Sequence, residues 1–260
     1  MSEEILLQRI KALKLHGLAQ HYDTIADQPW LLELLNWEEE HRTVKGLANR
    51  LHAARIGKFK PLTDFDWGWP RQCDRDAITH WTQLDFLKET INPILCGPNG
   101  VGKTMIAQNI AHQSVLKGYT ALFTTAAQML NELASLDSDT ALRRRIKHYI
   151  KPALLVIDEV GYLSYSNRFA DLFFEIISQR YENKSTLITT NKAFTEWHEI
   201  FPNAACVVSI IDRLVHHSEI VSIDAESYRL KEAKEKNSQR KVKQRKSKTK
   251  TTSTEKEGNL

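Results

Sequence analysis

The chain of 260 residues has only three cysteines, Cys73, Cys96 and Cys206, an odd number with no CxxC spacing among them. Neither a disulfide framework nor a cysteine-built zinc site is indicated, and each thiol reads as a small hydrophobe. Long apolar runs are also missing. The longest, such as residues 154–157, are far too short to cross a bilayer, and the opening Met1-Ser2-Glu3-Glu4 lacks the basic start and apolar stretch of a secretory signal. The expected location is therefore the cytoplasm. Internal repeats are absent, and with 42% hydrophobic and 26% charged residues a disordered or fibrous chain is excluded in favour of a globular one with a sizeable core.

Acidic residues are missing altogether from residues 41–60, which instead hold Arg42, Lys45, Arg50, Arg55, Lys58 and Lys60. The stretch ends a region whose apolar residues recur at helical spacing: Ile5, Leu6, Ile10 and Leu13, then Leu31, Leu34 and Leu35, then Val44, Leu47, Leu51 and Ala54. The pattern predicts a small all-helical N-terminal domain over residues 1–62. Arg42, Lys45, Arg50, Arg55 and Lys58 are candidate contacts to DNA phosphates, although a solvated helix face has the same composition. A second basic cluster, Arg143, Arg144, Arg145 and Lys147, invites the same two readings. The last thirty residues carry 11 Lys and Arg against 4 Glu, leaving 25 basic against 28 acidic elsewhere. Almost nothing apolar follows Leu230, so residues 231–260 read as a disordered basic tail.

Between these regions the turn formers and aromatics of residues 61–70 mark a linker or strap. Residues 63–230 then alternate short apolar runs with helical stretches, the pattern of βαβ units feeding a parallel sheet. Five strands are expected at residues 91–96, 120–124, 154–157, 186–190 and 219–223. The first leads into Gly97-Pro98-Asn99-Gly100-Val101-Gly102-Lys103-Thr104, which fits GxxxxGK[ST] between a strand and a helix. Glycines let backbone N–H groups curl around phosphate oxygens, and the helix N-terminus favours negative charge. Lys103 would reach the β- and γ-phosphates of ATP, and Thr104 would offer its hydroxyl to Mg²⁺. The third strand ends in Asp158 and Glu159; Asp158 is suited to the Mg²⁺ shell and Glu159 to polarising a water. A strand predicted at 120–124 separates these motifs, which points to the P-loop class with an additional strand. That class senses the γ-phosphate with a polar residue ending the next strand, here Asn191.

These motifs, with Ser178-Gln179-Arg180-Tyr181-Glu182, Thr189-Thr190-Asn191, Ile211-Asp212-Arg213-Leu214 and Ser227-Tyr228-Arg229-Leu230, make the chain resemble the IstB family of AAA+ ATPases, helpers of insertion-sequence transposition. More distantly it is similar to the DnaC helicase loaders. The resemblance spans nearly everything but the tail. It implies an α/β fold, an AAA+ P-loop NTPase with a five-stranded parallel sheet flanked by helices and no C-terminal lid domain. It further implies ATP and Mg²⁺ as cofactors, ATP hydrolysis, and a head-to-tail homo-oligomer. Arg213 would be the finger completing a neighbour's site, with Arg180 its rival, and Arg229 a second sensor acting in cis. Double-stranded DNA and a transposase are the implied partners; a helicase loader is the alternative. A metabolite kinase would need an acceptor pocket and lid that no segment after Asn191 suggests. A transposase would need an acidic triad, whereas the carboxylates here are taken up by the ATP site.

Overall fold

A computed structural model describes residues 3–162, 165–201 and 204–236. The chain divides into two compact units, Met1–Ala53 and Ala54–Leu260, so residues 54–62, Arg55 and Lys58 among them, group with the second.

The first unit is helical: α1 (Glu3–Ala12), α2 (His16–Gln20), α3 (Tyr22–Ile25) and the long α4 (Pro29–Ala54). Ile10 of α1, Leu13 just after it, Tyr22 of α3, and Leu31 and Leu35 one turn apart on α4 form its core. Arg9 forks onto both carboxylate oxygens of Glu39, each at 2.8 Å, and ties α1 to α4. Trp30, Leu32, Trp37 and Val44 are exposed along α4.

The second unit begins with α5 (Arg75–Trp81), capped by the Asp74 carboxylate on the Ala77 N–H. There follow β1 (Asn92–Cys96), α6 (Lys103–Leu116), β2 (Ala121–Thr125), α7 (Ala126–Ala134), α8 (Asp139–Ile150), β3 (Leu154–Val160), α9 (Asn167–Arg180), β4 (Ser185–Thr190), α10 (Ala204–His216) and β5 (Ser218–Ser222). All neighbouring strands are parallel, in the order β2-β3-β4-β1-β5. The five expected strands are all present, within a residue or two of their expected ends except β3.

Leu155 and Ile157 join Met129, Phe173 and Trp197 in the core shared with α7, α9 and α10. Side chains alternate along a strand, so Leu154 and Val156 face the other side, where α6 buries Ile106, Ile110 and Val115. Cover on both faces is why these strands read as unbroken apolar runs rather than as alternating ones. Thr125 and Gln128 close α7 with a reciprocal capping box.

Two expectations need correction. Residues 231–236, assigned to the disordered tail, continue a helix over residues 228–236 (α11). The reason is local anchoring: the Lys231 ammonium is 3.1 Å from Asp66 and 4.3 Å from the Trp69 ring centroid, and Glu232 pairs with Lys60 at 3.3 Å. Residues 237–260 lie outside the described residues. Second, β3 does not stop at Ile157 but runs through Asp158 and Glu159 to Val160, with a register shift against β4 between Ile157 and Val160. Among the described residues no helix is long and apolar enough to cross a membrane.

Candidate nucleotide-binding site

The loop at 97–104 joins the C-terminal end of β1 to the first turn of α6. Gly100 and Gly102 have φ of 84° and 98°, a region that costs any residue with a Cβ. Space excludes one as well: a Cβ on Gly100 would lie 2.3 Å from the Ser227 hydroxyl, and one on Gly102 would lie 2.5 Å from the Phe65 ring. The loop is thus clasped by the strap on one side and by the start of α11 on the other, where the Tyr228 N–H donates to Gly100 O at 3.0 Å.

Lys103 folds back across this loop, its ammonium donating to the carbonyls of Gly97 at 2.7 Å and Pro98 at 2.8 Å. Burial pushes its pKa down, opposed chiefly by the nearby Asp158 carboxylate. The Thr104 hydroxyl donates to the same carboxylate, 2.9 Å from the nearer oxygen. Asp158 is 3% exposed and also accepts from the Thr189 hydroxyl. A hydroxyl and a buried carboxylate make a hard-oxygen donor pair that suits Mg²⁺, and Thr104 and Asp158 are the residues that would hold it.

Glu159 takes the opposite course. At the bulge of β3 it has φ of 60°, rare for a residue with a Cβ, and its side chain is exposed while its neighbours are buried. The bulge turns two consecutive carboxylates to different tasks, one packed under the loop and one facing the cleft. Thr189 holds the arrangement, since its oxygen accepts the Glu159 N–H at 3.0 Å while its proton goes to Asp158. Its role was not legible in the sequence, where it is one of several threonines in β4.

The cleft has a volume of about 810 Å³, a size suited to a nucleotide. Phe65, Trp69 and Tyr228 line it together with Lys103, Glu159, Asn191 and Arg229. The Asn191 side-chain oxygen is buried without a hydrogen-bond partner among the described residues, an orphan of the kind that marks a site awaiting a ligand or water. A second cavity of about 660 Å³ is lined by Thr104, Asp158, Glu159 and Arg229, and also by Arg55 and Glu132.

Arg213 borders neither cavity. It lies on α10, donating to Ser209 O at 3.0 Å with its guanidinium 4.9 Å from the Phe174 ring centroid. Arg180, its rival, is no finger. It is 1% exposed, and it donates to the Thr186 hydroxyl and to the carbonyls of Tyr149, Ile150, Pro152, Ala153 and Ser185. Burial pushes its pKa down to about 9, which leaves it charged at neutral pH against the carbonyls that end α8.

The basic candidates divide in the same way. Arg143, Arg144 and Lys147 are exposed on one side of α8, whereas Arg145 turns inward, paired with Glu132 and lying over the Tyr149 ring. Arg42 pairs with Glu38 at 2.6 Å; Lys45 is exposed and Arg50 partly buried on α4. Arg55 and Lys58 line the two cavities rather than the α4 surface.

A parallel sheet of this order, with a phosphate loop after β1, an acidic pair on β3 and the polar Asn191 after β4, defines a P-loop NTPase of the AAA+ class. Within that class the chain belongs to the family of IstB-like ATP binding proteins, whose pattern matches residues 8–236. It is 34% identical over 238 residues to an ATP-binding protein of insertion sequence IS21 from Pseudomonas aeruginosa, covering 88% of this chain and 89% of the relative. It is likewise 34% identical over 244 residues to one of insertion sequence IS232 from Bacillus thuringiensis subsp. berliner, covering 89% and 96%. Among solved structures, DnaI matches with a TM-score of 0.55 at 20% identity, over 66% of this chain and 93% of that one, a likeness of fold.

Proposed function

We propose that this chain is an ATP-hydrolysing regulator that assembles head to tail on duplex DNA and recruits or activates the transposase of an insertion sequence. The observation that carries the reading is the division of the arginines: Arg229 lines the cleft with Lys103, Glu159 and Asn191, while Arg213 borders no part of it. A site whose finger lies elsewhere in the same chain is suited to completion by a neighbour.

In this reading Lys103 leaves the loop carbonyls for the β- and γ-phosphates, and Thr104 and Asp158 would hold a Mg²⁺ ion, which would supply neutralising charge there. Glu159 accepts a proton from a water whose oxygen attacks the γ-phosphorus as the bond to the β-phosphate oxygen breaks and ADP leaves. The free oxygen of Asn191 orients that water. Arg213 of the adjacent subunit and Arg229 offset the charge growing on the γ-phosphoryl oxygens, which makes ATP a bond between subunits and hydrolysis its release. DNA contact falls to Arg143, Arg144 and Lys147 of α8 and to Lys45 and Arg50 of the N-terminal unit, with the paired Arg42 a lesser contributor.

Sedimentation with ATP, Mg²⁺ and duplex DNA tests the proposal. Assembly that requires both ATP and duplex is expected; a chain that stays monomeric on duplex at low salt would refute it. Stronger ATP-dependent assembly on single strands would favour the helicase-loader reading instead.

A further inference from the structure

The nucleotide site uses the C-terminal ends of the strands. At their opposite ends lies a cluster that it does not use. The turn after α9 and the end of α10 bring Glu182, His216 and His217 together, with one donor atom from each within 4.8 Å of the other two. Pairing of Asn92 with Ser218 fixes this as the N-terminal end of the sheet, and the Asn92 N–H donates to His217 O at 2.7 Å.

We propose that Glu182, His216 and His217 form a three-ligand site for a divalent transition-metal ion of the zinc class, with water in the remaining position. Two imidazoles and a carboxylate suit Zn²⁺, Co²⁺ or Ni²⁺ far better than Mg²⁺ or Ca²⁺. Donors around a tetrahedral zinc stand roughly 3.4 Å apart, and His217 Nε2 is already 3.5 Å from Glu182 Oε1. Although consecutive, the two rings lie on one side, their centroids 4.1 Å apart, because α10 ends at His216 and the chain turns into β5. An outer partner is in place too: the Tyr181 hydroxyl is 2.7 Å from His216 Nδ1. With Nδ1–H donated to the phenol oxygen, Nε2 carries the lone pair a metal needs. Glu182 is held at φ of 57°, a conformation that costs a residue with a Cβ and that here aims its carboxylate at the histidines. Arg213 lies one turn before His216 on α10, so an ion here would bind at the end of the helix that carries the finger.

The test uses the full chain, stripped with EDTA, titrated with Co²⁺ by visible absorption and with Zn²⁺ by calorimetry. One equivalent is expected to bind, with Glu182→Gly and His216→Ala each weakening it at least about tenfold and His198→Ala, away from the cluster, leaving it unchanged. Glycine suits the left-handed backbone at 182, so a metal-free Glu182→Gly chain that melts no lower than the parent distinguishes a lost ligand from a lost fold. Absence of saturable binding, or affinity that both ligand substitutions leave unchanged, would overturn the proposal and reduce the cluster to ordinary Tyr–His and His–Glu contacts.

Discussion

Single residues of one type do opposite things in this chain, and burial separates them. Arg180 and Arg213 are both arginines late in a helix, yet one satisfies six acceptors in the interior and the other, among the described residues, makes one hydrogen bond and stacks on Phe174. Arg180→Ala orphans buried carbonyls and is expected to cost on the order of 3 kcal/mol in chemical denaturation, whereas Arg213→Ala should leave the midpoint unchanged and abolish turnover. At the phosphate loop, Lys103→Ala should abolish binding of a fluorescent ATP analogue. Glu159→Gln should bind ATP normally, lose hydrolysis and hold the assembled state on DNA; unchanged turnover would remove Glu159 from its assigned role. The motif residues were legible because phosphate chemistry demands fixed residue types at fixed spacing. Thr189 was not, since only the β3 bulge shows that one hydroxyl serves both the Asp158 carboxylate and the Glu159 N–H.

At the scale of elements, the strands were legible because a sheet covered on both faces needs continuous apolar runs, and residues 154–157 supply one with little competition from helical periodicity. The extension of β3 was hidden because Asp158 and Glu159 are poor strand formers; Asp158 pairs instead with Thr125 of β2, and pairing with β4 resumes only at Val160. Helix α11 was hidden for a related reason. Its sequence is too polar to fold alone, and it is held by Lys231 against Asp66 and Trp69, partners far away along the chain. The basic run on α8 reads as uniform in sequence, but helical spacing sends Arg143, Arg144 and Lys147 outward and Arg145 toward Glu132. Replacing the three outward residues with alanine should weaken duplex binding and flatten its salt dependence by about 0.9 in log–log slope for each phosphate no longer neutralised. Arg145→Ala should instead lower the melting temperature with little change in that slope.

In the assembled molecule, the proposed catalytic site is split between chains: Glu159 from one, Arg213 from the next. Nothing in the sequence alone distinguishes this from a finger acting in cis, because distance from the cleft is a property of the fold. The direct measurement is ATP turnover on duplex DNA by a mixture of two inactive chains, Glu159→Gln and Arg213→Ala. Sharing predicts that activity returns on mixing, since an Arg213→Ala chain keeps its own Glu159 and can borrow Arg213 from a Glu159→Gln neighbour. With random head-to-tail assembly at equal amounts, about a quarter of the sites should be complete. A mixture as inactive as its two components, although assembled on DNA, would rule out a shared site and return Arg213 to a structural role within its own chain.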